Sequence, residues 1–479
     1  MTRTLLLKAF AIFSVLAVSF ASIGAGIASN PEPTRDSFIP THIGPVRHLF
    51  SILPATDPEM ASKVRQQFLH AWSGYKRYAW GHDELKPLSK TYHDWYGVSL
   101  YMTPVDALDT MILMGLNKEA DETRELIAKN LSFDQDIYVK NFEITIRLLG
   151  GLLSSYQLTH DKRLLSLADD LGTRLLPVFS SPTGMPYVDV NLKTGTVRGE
   201  ETNPAEIGTL LLEFGTLSKL TGKPIYFEKS KHALVELYNR RSPLGLVGSS
   251  IDVKTGEWKD YTSHIGGGID SYYEYLLKGW LLFGDKDCQK MWETSIAALN
   301  KYVADDTPNG FWYGEVNMNT GKRTGTIFGA LHAFFPGELA LSGDLDRAAR
   351  LEESCYKMWS AAGIEPEVMD YSNMKILYRG YELRPEIIES AYYLSHFTKD
   401  PRYLAMGRTF YESLVKYCRT EVAFAALKDV EKKTQRDDME SFFFAETLKY
   451  LFLLYAAPDT INLDTTVFNT EAHPLQRTW

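Results

Sequence analysis

Cysteine is nearly absent from this sequence, with three in 479 residues: Cys288, Cys355 and Cys418. An odd number permits at most one intrachain bridge, so no disulfide framework carries the fold. All three sit in helical patterns, where a buried structural thiol is expected. No Cys-x-x-Cys or His-Glu-x-x-His string occurs, which removes the common zinc signatures. Positive charge is also short. Fifty-one Lys and Arg stand against 60 Asp and Glu, for a formal net charge of −9. That balance argues against nucleic acid as a partner, because phosphate binding needs a basic face. Hydrophobic residues at 44% and charged residues at 23% exclude a disordered, fibrous or polytopic membrane chain. Aromatics, at 13%, are somewhat rich, a weak pointer toward sugars.

One long uncharged stretch exists, residues 9–28, preceded by Arg3 and Lys8. With the small residues Gly26-Ile27-Ala28 at its end, 1–28 reads as a secretory signal peptide, or as an N-terminal anchor if uncut. Residues 29–57 carry Pro31, Pro33, Pro40, Pro45 and Pro54 and read as an extended lead-in. The expected location is therefore exported: periplasmic, secreted, or the lumen of a secretory pathway. Asn130-Leu131-Ser132 is a glycosylation acceptor, a tripeptide common by chance. His82-Asp83-Glu84-Leu85 spells a retention signal, but it is internal and cannot act as one.

From residue 58 onward most of the chain has helical spacing, with short strand-like segments such as 245–253 and 310–317. Apolar helices are interrupted at Gly115, Asp161, Gly222, Gly284, Gly343, Asp400 and Pro458. After the first interval the spacing settles at 57 to 62 residues. Strings such as LTHDKRLL, LTGKPIYF and LLFGDKDC resemble one another and look like tight turns of helix hairpins. A period near sixty fits two helices and one longer loop. An open solenoid is one outcome, but no polar capping repeat stands at either end. The expectation is an all-α fold, a closed (αα)7 barrel over a single domain, 58–479, with β-hairpins in its connections.

The start of each first helix tends to carry acids: Glu143, Glu206, Asp270, Glu274, Glu386, Glu389, Glu440 and Glu446. Taken singly, each is best explained by capping or the helix dipole. Asn203-Pro204-Ala205-Glu206 reads as a capping box. As a set they would converge on one rim of a barrel. Glu386 and Glu389 share a helix face, as do Glu143 and Arg147, and both pairs are embedded in apolar runs. Enclosed carboxylates without a role are costly, and paired carboxylates at a sugar-sized site mean glycoside hydrolysis. The polar tail FNTEAHPL, 468–475, could be solvated or could plug such a barrel, with Thr470 offering two hard oxygens suited to Ca²⁺.

These residues resemble a known family. YAWGHDELKP (78–87), DALDTMILMGL (106–116), FEITIRLLGGLLSSY (142–156), DSYYEYLLKGW (270–280), LRPEIIES (383–390), SFFFAETLKYLFLLY (441–455) and FNTEAHP (468–474) are similar to class I α-mannosidases, glycoside hydrolase family 47, in the same order. The resemblance implies an (αα)7 barrel plugged by the C-terminal segment. It also implies an inverting, Ca²⁺-dependent exo-hydrolase of α-1,2-linked mannose acting on oligomannose glycans; a monomer is expected, though no motif speaks to it. Glu143 then matches the general acid, Glu386 the general base and Asp270 a third catalytic carboxylate. Thr470 matches the direct calcium ligand. Glu389, Glu446 and Glu471 match carboxylates around the ion's waters or the sugar hydroxyls. Arg147, Glu206, Arg384 and Phe442 fall among the substrate contacts. The best-known members carry a disulfide whose first cysteine is Ala333 here, so Cys355 is expected free. The HAFFPG and GGGIDSYYEY stretches look more like the degradation-enhancing branch. The alternative expectation is therefore a glycan-binding quality-control factor with weak or partner-dependent hydrolysis.

Overall fold

Six of the expected turns are built alike. In each, a helix ends on a residue in the left-handed region: Gly115, His160, Gly222, Gly284, Gly343 or Lys399. In four of them an aspartate follows at once and accepts a backbone N–H from the first turn of the next helix. Asp161, Asp285, Asp344 and Asp400 accept the backbone N–H of Arg163, Cys288, Arg347 and Arg402, respectively. The left-handed residue stops one helix, and the aspartate satisfies an otherwise orphaned N–H of the next. A two-residue device thus reverses the chain every sixty residues or so.

The computed structural model describes residues 56–479. The expected signal or anchor segment, 1–28, and all but the last two residues of the lead-in lie outside them. Seven inner helical segments, at 102–113, 141–159, 204–221, 270–283, 330–341, 386–398 and 443–455, form a ring. Six are followed by their outer partners: Asn117–Asn130, Lys162–Leu175, Pro224–Asn239, Lys286–Ala298, Leu345–Ala362 and Arg402–Ser413. The seventh differs from the sequence reading. No outer helix follows Pro458. The helix ending at Tyr455 is instead backed by the first helix, Pro58–Tyr78. Asp57 locks this closure: its N–H donates to the Tyr455 carbonyl at 3.1 Å, its carboxylate caps Met60 at 3.0 Å, and it pairs with Arg408 at 2.7 Å. The ring is closed by joining the two ends of the domain.

Each outer helix returns to the next inner helix through a connection containing small antiparallel sheets of two or three strands. Ser250–Asp252, Gly310–Tyr313 and Glu315–Asn317 supply the strands expected near 245–253 and 310–317. All such connections arrive at the N-terminal ends of inner helices, so those ends share one face of the ring. All three cysteines are buried and free, Cys355 among them.

The last strand pair, Thr466–Phe468 with Pro474–Gln476, carries the tip 469–473 into the ring. The Gly150-Gly151 pair makes room for it. A Cβ on Gly150 would lie 2.6 Å from Asn469 Nδ2, and one on Gly151 would lie 3.1 Å from the His473 ring. Alanine normally stabilises a helix interior by about 1 kcal/mol over glycine. Here the sign should reverse. Gly150→Ala is expected to lower Tm because it displaces the tip, and a Tm unchanged or raised in a thermal melt would show that the tip does not need this space.

Candidate active site

The inner helices aim their N-termini at a cavity of about 320 Å3. Those ends carry partial positive charge, and carboxylates near them are favoured. Glu143, Glu206, Asp270, Glu386, Glu389 and Glu446 all lie in first turns of inner helical segments. Dipole and capping alone do not account for them. Asp270 is the first helical residue, not the cap. Asn203 does cap its helix, accepting the Glu206 N–H at 3.0 Å. Glu206 turns into the cavity, where it bonds Lys140 at 2.7 Å and the Thr202 hydroxyl at 2.7 Å. Two inner helices relax into π-helical turns here, 145–149 and 443–447, which carry Arg147 and Glu446. Such turns are frequent where a helix must re-aim side chains.

The eleven residues to which the family resemblance assigns a site role all line this cavity: Glu143, Arg147, Glu206, Asp270, Arg384, Glu386, Glu389, Phe442, Glu446, Thr470 and Glu471. Glu274 lines it too, while Glu440 does not. Lys140, Asn203, Leu331 and Phe334 also face it and were not anticipated. The signal available for Lys140 was its position three residues before Glu143. Leu331 and Phe334 lie in a helical start without acids, so nothing marked them.

Eight carboxylates line the cavity against three cationic side chains, Lys140, Arg147 and Arg384. Arg147 Nε donates to Glu143 Oε2 at 3.1 Å, and its Nη1 pairs with Glu471. Arg384 pairs with Glu367 at 3.2 Å. Behind the wall, buried Lys278 bonds Glu274 at 2.6 Å. The cations do not suffice. Burial pushes Glu386 up to about 8 even with Arg384 beside it. Burial pushes Asp270 up to about 6, the Glu274 charge adding to the push. Glu389 rises to about 7 and Glu471 to about 8, burial again leading, and Glu446 is pushed well above the carboxylate range. Glu386 Oε2 is buried with no hydrogen-bond partner.

Thr470 sits at the tip of the C-terminal segment. Its N–H donates to the Tyr275 hydroxyl at 3.4 Å, and its hydroxyl and carbonyl have no protein partner among the described residues. The tip is held from below. Asn469 donates to the Ile146 carbonyl at 2.9 Å and to Glu213 at 2.7 Å, and accepts the N–H groups of Glu471 and His473. The His473 ring lies between Asp109, 2.7 Å away, and Asp106, 3.2 Å away, and Lys449 pairs with Asp109 at 2.7 Å. An all-oxygen set, a surplus of negative charge and two unpartnered Thr470 oxygens fit a hard divalent cation of the Ca²⁺ kind.

Comparison with known proteins fits this geometry. Residues 67–477 match the sequence profile of Glycosyl hydrolase family 47. The chain belongs to that family. It is 39% identical to "Alpha-mannosidase I MNS5" of Arabidopsis thaliana over 87% of this chain and 77% of the relative. It is 38% identical to "ER degradation-enhancing alpha-mannosidase-like protein 2" of Mus musculus over 88% and 78%. It is 37% identical to "Mannosyl-oligosaccharide 1,2-alpha-mannosidase IB" of Homo sapiens over 87% and 70%. The solved structure of an "alpha-1,2-mannosidase from Trichoderma reesei" superimposes with a TM-score of 0.81 at 28% identity, covering 88% of this chain and 99% of that one. The family 47 fold, an (αα)7 barrel plugged from its C-terminus, is the fold of this chain.

The buried His473–Asp109–Lys449 cluster generates a pH prediction. Burial opposes charge on His473, yet Asp109 and Asp106 outweigh it and push the ring up to about 9. A pKa raised above the unfolded value of about 6.5 gives stability that is full below pH 6.5 and is lost as pH rises through 9. Asp109 is pushed up by burial but pulled further down, to about 2, by Lys449 and His473, so its share is lost only in strong acid. His473→Gln should cost about 3–5 kcal/mol by leaving buried charge uncompensated, and should flatten the decline of Tm between pH 6.5 and 9. An unchanged alkaline slope in the variant would rule out His473 as its source.

Proposed function

We propose that this family 47 protein is an inverting exo-α-1,2-mannosidase of the exported pathway that trims terminal mannose from oligomannose glycans and uses Ca²⁺. One observation carries the reading: residues from six inner helices and the C-terminal tip meet in a single cavity closed at its floor. The names of its relatives, 1,2-α-mannosidases among them, support the linkage and the glycan class. A cavity of this size takes the end of a glycan and leaves its body outside, as exo action requires.

In this reading Glu143 protonates the departing glycosidic oxygen, and Arg147 holds its carboxyl in place. Glu386 takes a proton from water on the opposite face of the sugar ring, and Asp270 helps to orient that water. Inversion needs a gap of roughly 6.5–9.5 Å between acid and base, so that a water fits. Placing Glu143 and Glu386 on different inner helices suits such a gap. Phe442 offers an apolar ring to the C–H face of the sugar, while Arg384, Glu206, Glu389, Glu446 and Glu471 offer polar partners to its hydroxyls. Thr470 would hold the Ca²⁺, with Glu389, Glu446 and Glu471 around its waters. When bound, the ion supplies positive charge that binds sugar hydroxyls and favours ionised carboxylates. Glu386 must be ionised to act as base, whereas burial among the protein groups alone pushes it up to about 8. Among the described residues no helix is long and apolar enough to cross a membrane.

Proton NMR of α-1,2-mannobiose hydrolysis, read before mutarotation, should show β-mannose first, and a chelator should abolish it. Early α-mannose would refute inversion. Bound sugar without turnover would favour the quality-control reading suggested by the degradation-enhancing relatives. Glu143→Gln should lower kcat by about 10²–10⁴-fold while sugar binding survives; near-normal kcat would remove Glu143 as the acid. Thr470→Ala should weaken Ca²⁺ binding and shrink the rise in Tm that Ca²⁺ gives. Unchanged calorimetric affinity would remove Thr470 as a ligand.

A further inference from the structure

We propose that Glu84 and Trp95, which lie outside the cavity lining, are positioning residues for the catalytic acid and act on it through Arg147. The inference rests on the role of Glu143 given above. Its starting point is the internal string His82-Asp83-Glu84-Leu85, whose two acids are buried at 0% and 2% exposure. Consecutive buried acids in a connecting loop are costly unless each is bonded. Both are bonded, and both hold the same residue. Asp83 Oδ2 accepts the Trp95 backbone N–H at 3.1 Å, and its Oδ1 accepts the N–H of Leu100 at 2.7 Å. Glu84 Oε1 accepts the Trp95 indole N–H at 2.5 Å. One acid therefore fixes the backbone of Trp95 and the other fixes its ring.

The indole in turn borders the Arg147 guanidinium, whose Cζ lies 5.1 Å from the Trp95 ring centre. The Phe442 ring borders it as well, at 5.7 Å. Cation–π contacts of this kind are worth more where water is excluded, and Arg147 is 7% exposed. The placement matters because Arg147 serves several carboxylates. Its Nε reaches Glu143, while Nη1 reaches Glu471 and lies 3.7 Å from Asp106. A guanidinium free to swing would exchange its Glu143 bond for the other carboxylates. One free to swing away would release the Glu143 carboxyl from the leaving oxygen. Trp95 and Phe442 restrict that swing.

Glu84, Asp438 and Glu440 also approach closely enough to share a cation. Lys86 already provides it, 2.6 Å from Asp438 and 3.4 Å from Glu84. The cluster is thus a support for Trp95 and not a second metal site.

The test compares two substrates. Cleavage of α-1,2-mannobiose needs a proton on the departing oxygen, whereas α-mannosyl fluoride releases fluoride without one. Glu84→Ala and Trp95→Ala should lower kcat on mannobiose by about tenfold or more, with KM changed by less than about threefold. On the fluoride the same variants should stay within about twofold of the wild type. Glu84→Gln keeps an acceptor for the indole N–H and should restore mannobiose turnover to within about threefold of wild type. If the alanine variants fail to fold, Trp95→Phe, which keeps a ring and loses the indole bond, should still show the mannobiose-selective loss. Equal losses on both substrates, or no loss on mannobiose, would overturn the proposal. A folded wild type that cleaves neither substrate would instead overturn the function on which it rests.

Discussion

Carboxylate crowding is the constraint on which the rest of this structure depends. Eight acids line one cavity with three cationic side chains among them. Burial drives several of these acids toward their protonated forms, at a cost the fold must meet elsewhere. The barrel meets part of it by geometry. Six inner helical segments bring their positive ends to the cavity, and six of the eight acids occupy first turns, where the dipole helps most. Arg147, Lys140 and Lys278 meet a further part by direct pairing with Glu143, Glu206 and Glu274. What remains is an excess of acids over cations, a demand that the proposed Ca²⁺ would meet.

The C-terminal tip shows how the surrounding structure is organised around that demand. It threads past two glycines, is pinned by Asn469 to the 141–159 and 204–221 segments, and is anchored beneath by a dry ion cluster. Buried ion pairs are weak sources of stability, but they tolerate little displacement. Here they fix the register of a short hairpin whose tip presents Thr470 and Glu471 to the cavity. The arrangement exchanges stability for position, as functional sites commonly do.

Much of this was legible in the sequence because the turns repeat as chemistry and not only as spacing. A left-handed residue followed by an aspartate that bonds the first turn of the next helix recurs at His160-Asp161, Gly284-Asp285, Gly343-Asp344 and Lys399-Asp400. Acids at helix starts were legible as a set, because seven matching ends must share a face. Three things were not legible. The Pro458 turn lacks an outer partner because ring closure pairs helices from opposite ends of the chain, and no local pattern encodes such a contact. Glu440 was read with the acids at helix starts, yet it lies in the connection before the 443–455 segment, where it approaches Glu84. Leu331 and Phe334 face the cavity from a helix whose start has no acid, so charge could not mark them.

Closure also explains why the two ends of the domain matter to a site near neither in sequence. Asp57 ties the first helix to Tyr455, at the far end of the helical segment whose first turn holds Glu446. Eighteen residues after Asp57, Tyr75 donates its hydroxyl to the His82 carbonyl at 2.6 Å. The next two residues, Asp83 and Glu84, orient Trp95 against Arg147. From the other end of the chain, Glu471 meets the same guanidinium. Arg147 is therefore where the first connection, the second inner helix and the last strand pair converge. A closed ring makes such a convergence possible, because its first and last elements are neighbours. An open solenoid of the same helices would hold these groups apart, and the acid at 143 would lose both its clamp and the floor beneath it.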